Sequence, residues 1–297
     1  GKELADAYPQ ARAVFEEVDA ALGEPLSKIM WEGPAETLTL TANAQPALMA
    51  VSLATMRVLE ASGLDLKASV AFVAGHSLGE YSALAAAGSL SVSDAARLLR
   101  IRGSSMQKAV PVGEGAMAAL LGLDFEAAQA VAEEAAQGQV CQAANDNAPG
   151  QVVVSGHKAA VERAVEIAKG KGARRAVLLP VSAPFHCALM GPAADVMADA
   201  LSNVDIKAPC VPLVANVLAS AITDPGEIRR RLIEQVTGTV RWRESIEYLA
   251  GQGVDTFCEI GTGKVLTGMV KRIAREAEGI AVNTGADIDA LIERISK

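Results

Sequence analysis

Aromatic residues are scarce in this chain: Phe, Trp and Tyr make up 3% of its 297 residues, although 51% are hydrophobic. Ala, Val and Leu must therefore fill the interior, and many small side chains suit helices laid closely on a sheet, as in an α/β protein. There is no basic run, and 27 Lys and Arg against 35 Asp and Glu leave a net charge of −8. That argues against nucleic acid as a partner and means that an acidic partner would need a local basic patch. The four cysteines, Cys141, Cys187, Cys210 and Cys258, form no C-x-x-C pair. They read as reduced core residues, with neither zinc nor a disulfide framework implied, and no metal is expected. No stretch approaches the length of a transmembrane helix and no signal peptide is visible. The expectation is a soluble, cytoplasmic protein with no membrane partner.

What is present is organised around Ser69 to Gly88. An apolar run, Val70 to Ala74, predicts a strand buried on both faces. It turns through Gly75-His76-Ser77-Leu78-Gly79 into an Ala/Leu-rich helix. That is the strand–turn–helix context of a G-x-S-x-G nucleophile elbow. Both glycines are expected to be required by close backbone approach. Ser77 at the apex is the candidate nucleophile, and the Leu78 N–H at the helix start faces a developing oxyanion.

The rest of the chain reads as α/β. Residues 3–22 predict a helix ending at Gly23, Pro46 to about Ala61 a second with proline at its start, and Ser93 to about Ala109 a third. From Gly115 the rhythm changes. Strands at 116–121, 139–143, 151–155 and 175–179 and helices at 125–136 and 158–169 follow the order β-α-β-β-α-β, a ferredoxin-like unit. Asn145 to Gly150 reads as a dense turn inside it. Residues 112–181 are accordingly expected to form a small domain inserted into a large α/β domain of residues 1–111 and 182–297. In the latter, strands at 211–215 and 254–260 alternate with helices at 192–201, 224–235, 242–250 and 264–275.

A nucleophilic serine needs a base, and there are three histidines. His76 adjoins Ser77, so its side chain should point elsewhere. His157 falls in a turn of the small domain and reads as a surface residue. His186 lies in Val181-Ser-Ala-Pro-Phe-His-Cys-Ala-Leu-Met190, just past a strand end, where catalytic residues of α/β folds gather, and is the candidate base. No carboxylate stands out to orient it: Asp94 and Asp124 read as helix caps and Asp146 as a turn residue. Arg102 falls within the apolar stripe of Ala95, Leu98, Leu99, Met106 and Ala109. An inward guanidinium needs an anion, either a carboxylate of the protein or a substrate carboxylate held through two parallel bonds.

Together these residues resemble the malonyl-CoA:acyl-carrier-protein transacylase family, the acyltransferases of fatty-acid and polyketide synthesis. The matching pieces run in order along nearly all of the chain: Ala74-Gly-His-Ser-Leu-Gly-Glu-Tyr-Ser-Ala83; Arg102-Gly with Met106-Gln107; Asn145-x-Asn-x-Pro-Gly-Gln-Val-Val153; Phe185-His-Cys-Ala-Leu-Met190; and Glu259-Ile-Gly-x-Gly-Lys-Val-Leu266. The resemblance implies an α/β-hydrolase-like parallel-sheet core with an inserted ferredoxin-like domain. It implies that Ser77 takes an acyl group from coenzyme A and passes it to the thiol of acyl carrier protein, with His186 moving the proton and no cofactor beyond the thioester substrate. It implies that the main-chain carbonyl of Gln235 holds the histidine ring, and that Arg102 grips the malonyl carboxylate with Met106 and His76 among the substrate-binding residues. Phe185 resembles the form of the specificity motif in which a bulky ring crowds out an α-methyl branch. The family opens with a strand and a Pro-Gly-Gln-Gly-Ser-Gln loop whose first glutamine adds an oxyanion donor. This sequence starts where that loop would end, so further chain is expected upstream. Malonyl-CoA and acyl carrier protein are the expected partners, docking is expected near Arg174, Arg175 and Lys264, and a monomer is the default. Two other readings stay open: a serine thioesterase or esterase, which the elbow alone also fits, and a non-catalytic carrier-protein-binding subunit.

Overall fold

The computed structural model describes residues 1–296. Nine strands run through the described residues: β1 (Val73–Ala74), β2 (Gly115–Leu121), β3 (Cys141–Ala148), β4 (Gln151–His157), β5 (Arg175–Leu178), β6 (Leu213–Ala215), β7 (Ser220–Ile222), β8 (Thr256–Ile260) and β9 (Glu278–Val282). β1 pairs in parallel with β6, and β6 antiparallel with β7. A second parallel pair, β8 with β9, forms a sheet of its own. The remaining four strands make an antiparallel sheet in the order β3-β4-β2-β5. The chain is thus a mixed α/β protein with an α/β-hydrolase-like core and a smaller ferredoxin-like unit.

The main core lies where the helices Pro9–Leu22, Thr41–Ala61, Val92–Lys108 and Gly191–Ser202 close around β1 and β6. It is built from Leu, Val, Met and Ala with few rings, as the composition requires. Helix Val92–Lys108 is capped by the Ser91 hydroxyl, which accepts the Asp94 N–H at 3.0 Å. It buries Leu98, Leu99, Met106 and, on the same face, Arg102. Its Gly103 lies against the first turn of Thr41–Ala61: a Cβ there would come within 2.5 Å of Thr41 O.

Several expectations are corrected. The strand before the elbow is two residues long and, among the described residues, pairs with β6 alone, and Val70 to Phe72 are not buried. The helix holding Pro46 begins five residues earlier, at Thr41, where packing against Gly103 fixes its first turn. The first helix is broken at Tyr8 ahead of Pro9, since the residue before proline is driven out of helical geometry. Asn145 to Ala148 is strand rather than turn. Its polar groups are satisfied across the junction with the large part: the Asp146 N–H donates to Val240 O at 2.9 Å, and Arg243 grips the buried Asp146 carboxylate at 2.8 Å. β7, β9 and the helix Gly285–Ile295 have no counterpart among the elements expected from the sequence. Of the four cysteines, Cys141 and Cys187 are buried, whereas Cys210 and Cys258 are exposed.

Candidate active site

The chain turns from β1 into helix Gly79–Ala86 through Gly75-His76-Ser77-Leu78. A Cβ on Gly75 would sit 1.9 Å from Gly79 O, whereas one on Gly79 would meet nothing within 4 Å. Close approach therefore demands glycine at Gly75, and the same expectation for Gly79 is corrected. Ser77 has φ +53°, a conformation that L side chains rarely adopt. Asn216, just past the end of β6, braces it: Oδ1 accepts the Ser77 N–H at 2.7 Å and Nδ2 donates to Gly75 O at 2.8 Å. The Gly79 and Glu80 N–H groups turn back to His76 O and Ser77 O, at 2.9 and 3.1 Å. The helix start thus closes around Ser77, with the Leu78 N–H beside it.

Ser77 Oγ lies 2.8 Å from His186 Nε2, and His186 Nδ1 lies 2.9 Å from Gln235 O. A carbonyl only accepts, so the Nδ1 proton points to Gln235 and Nε2 is the acceptor for the serine hydroxyl. No carboxylate is needed behind the ring. His186 also holds a positive φ, +57°, and non-glycine residues in that region cluster at functional sites. Its loop is tied at both ends: the Ser182 hydroxyl donates to Gln107 at 2.6 Å, and the Ala188 N–H to Gln142 of β3 at 2.7 Å. Burial, helped by the Arg102 charge, pushes the His186 pKa down to about 3. The imidazole is neutral at physiological pH.

Arg102 is 1% exposed. Nη1 donates to Gln45 Oε1 at 2.6 Å, and Nη2 to Gln235 Oε1 at 2.8 Å and Ser77 Oγ at 3.0 Å. All three hydrogen-bond partners are neutral, so among the described residues the cation makes no direct ion pair, and a carboxylate, Glu80, acts on it only at one remove, through Gln235. Gln45 also donates to Met106 Sδ at 3.8 Å, which places buried Met106 beside the arginine. Phe185, next to His186, packs against both the main core and the small cluster of Met117, Ala144 and Val153.

Of the eight sequence-singled residues, Ser77, Leu78, Arg102, Met106, Phe185, His186 and Gln235 converge. His76 faces another way: its Nε2 donates to Asn147 Oδ1 at 2.8 Å and its ring lies 5.5 Å from that of Trp242, tying the elbow to β3. His157 is no free surface group, because Nδ1 accepts the Val140 N–H at 2.9 Å. Among the described residues no three His, Cys, Asp or Glu gather to hold a metal ion, and no helix is long and apolar enough to cross a membrane.

Sequence reasoning missed Gln45, Asn147, Asn216 and Glu80. Glu80 is 1% exposed, and its Oε2 accepts from Gln235 Nε2 at 2.8 Å and the Asn216 N–H at 3.1 Å. Burial pushes its carboxyl up to about 7. A signal existed: Glu80, Ala83, Leu84 and Ala87 share one helical face and are all buried, the pattern that singled out Arg102.

An α/β core with a strained serine at a strand–helix elbow, hydrogen-bonded to a neutral histidine, defines the class of proteins built for nucleophilic attack by serine. Residues 1–287 match the family model of the acyl transferase domain. A malonyl CoA-acyl carrier protein transacylase of Bacillus subtilis is 48% identical over 298 residues, covering 100% of this chain and 93% of that protein. The crystal structure of an acyl-carrier-protein-S-malonyltransferase from Bartonella henselae superposes with a TM-score of 0.97 at 57% identity, covering 100% of this chain and 94% of that one. A malonyl-transacylase solved in complex with a type II PKS acyl-carrier protein gives 0.95 at 43% identity, covering 99% and 94%. The chain belongs to the acyl transferase family and, within it, to the malonyl-CoA:acyl-carrier-protein transacylases.

Proposed function

We propose that this acyltransferase carries a malonyl group from malonyl-CoA to the phosphopantetheine thiol of acyl carrier protein through an ester on Ser77, supplying fatty-acid or polyketide elongation in the cytoplasm. The observation that carries the reading is Arg102: a buried guanidinium with no directly bonded carboxylate among the described residues, 3.0 Å from the hydroxyl to be acylated. Ser77 gives its proton to His186 Nε2 as Oγ attacks the thioester carbon. The Leu78 N–H stabilises the oxyanion, the C–S bond breaks, and the departing sulfur takes the proton from His186. The carrier thiol then runs the same steps in reverse, which makes the kinetics ping-pong. Coenzyme A enters as substrate, and no further cofactor takes part.

The electrostatics support a malonyl group over an acetyl group. An imidazolium at His186 is disfavoured by burial and by Arg102. The malonyl carboxylate, held by Arg102 through two parallel bonds, offsets that charge as the imidazolium forms. An acetyl group brings no carboxylate to the guanidinium, and a site that loses a required polar partner can discriminate by orders of magnitude. Phe185 and Met106 shape the acyl pocket, and His76, held by Asn147, supports the elbow from the side of β3. The proposed division is a catalytic unit of residues 1–111 and 182–297 with an inserted unit of 112–181. The acidic carrier docks near the exposed Arg174, Arg175 and Lys264, and the protein works as a monomer.

The test is intact mass after brief exposure to malonyl-CoA, then to carrier protein. A malonyl increment that maps to Ser77, moves to the carrier and is absent in Ser77→Ala is expected. Free malonate as the main product would instead assign a thioesterase, and no increment at all a binding subunit.

A further inference from the structure

We propose that Glu80 is the countercharge of Arg102 while the site is unacylated, and that it takes up a proton from solvent when the malonyl carboxylate arrives. The proposal rests on the reading of Arg102 as the malonyl clamp. Glu80 touches neither the Ser77 hydroxyl nor His186, so it is a positioning residue that acts through Gln235.

The geometry is a continuous chain. Arg102 Nη2 donates to Gln235 Oε1 at 2.8 Å, and Gln235 Nε2 donates to Glu80 Oε2 at 2.8 Å. One carboxamide thus carries a cation on its oxygen and an anion on its nitrogen. Each end polarises the other, and an ionised carboxylate, which cannot donate, fixes which way the amide points. The same carboxamide also donates to Ser77 O at 3.0 Å, and the main chain of Gln235 holds His186. Charge state and catalytic geometry therefore meet at Gln235.

With Glu80 ionised, the empty site holds one buried cation and one buried anion. Binding of malonyl adds a second anion to the same enclosed region, where an uncompensated charge is costly. Something must neutralise it. Among the described residues the charged group that bears on Glu80 is Arg102, from helix Val92–Lys108. Tyr81 on its own helix stays neutral because burial raises the phenol, and His186 and His76 stay neutral because burial lowers both rings. Gln235, Asn216 and Gln45 do not titrate. Glu80 is the group left to respond, and its Oε1 has no partner among the described residues, which leaves an open position for the proton. A carboxyl already displaced to about 7 by burial makes that uptake accessible at physiological pH.

The experiment is proton uptake on stoichiometric acylation by malonyl-CoA at pH 7.5, in weakly buffered solution with a pH indicator, comparing wild type with Glu80→Gln. Intact mass gives the fraction malonylated. Release of the coenzyme A thiol contributes equally to both proteins, so the difference isolates position 80. The expected excess in wild type is on the order of half a proton or more per malonylated serine; equal uptake overturns the proposal. Wild type alone provides a second readout should Glu80→Gln not fold. Its malonylation equilibrium should weaken about fivefold between pH 7 and pH 8, and a flat profile overturns the proposal. Failure of the underlying reading shows separately, as an Arg102→Ala protein that keeps full preference for malonyl over acetyl.

Discussion

Replacing Arg102 by alanine tests the substrate reading most directly. The guanidinium is buried and makes three hydrogen bonds, none to a charged group. A bound malonyl carboxylate replaces neutral acceptors by two charge-assisted bonds, each contributing about 1.5–3 kcal/mol net. Their loss amounts to about 3–6 kcal/mol, a fall in kcat/KM for malonyl-CoA of about a hundred- to ten-thousand-fold. Acetyl-CoA has no such bonds to lose. Removing the cation also removes the second cause of the low His186 pKa, so acetyl transfer should hold steady or rise. The assay is the rate of acyl-enzyme formation by intact mass with each thioester, on protein whose fold is checked by circular dichroism. If the two substrates lose rate by the same factor, Arg102 is structural and the clamp is wrong.

Gly75→Ala should lose several kcal/mol of stability or fail to fold, because a Cβ 1.9 Å from a backbone oxygen has no room to relax. Gly79→Ala should leave the denaturant midpoint nearly unchanged or slightly raised, and equal behaviour of the two variants would refute the reading of the turn. Glu80 carries a stability penalty that depends on pH. Its folded pKa of about 7 exceeds the ordinary 4.5, so the native state binds more protons than the unfolded chain between those values, and this group's contribution falls as pH rises from 4.5 through 7. At about 1.4 kcal/mol per pKa unit the full penalty above pH 7 is about 3 kcal/mol. Glu80→Gln should therefore match wild type in thermal stability near pH 4.5 and exceed it by several degrees at pH 8; no pH-dependent difference would contradict the buried, displaced carboxyl. Docking of an acidic carrier on Arg174, Arg175 and Lys264 should give second-half-reaction rates that fall steeply with salt. A salt-independent rate would remove that patch from consideration.

Ser77, His186 and Arg102 were legible because each breaks a local pattern in a way that has few explanations. A serine between two glycines ends a strand and opens a helix; a histidine stands in a loop past a strand end; a cation occupies an apolar stripe. The role of Gln235 came only through resemblance, since nothing local marks a glutamine whose main chain is the functional part. Glu80 passed as an ordinary acidic residue in a first helical turn, although the stripe test that found Arg102 applies to it equally. Asn145 to Asn147 read as a turn because composition cannot show that strand residues have polar partners elsewhere. Those partners, Val240, Arg243 and His76, are distant in sequence.

The sequence by itself determined the local elements: helix periods, the elbow, the β-α-β-β-α-β order and the identity of the reactive groups. These depend on residues within a few turns of one another, and backbone sterics and apolar spacing decide them. Tertiary structure alone decided what surrounds those groups. Gln235, Asn216 and Glu80 meet behind Ser77 from three separate segments, and the charge on Glu80 depends on burial that no local window contains. Desolvation and hydrogen-bond satisfaction are properties of the assembled interior, so the proton on His186 and the countercharge of Arg102 become readable only once the chain has folded.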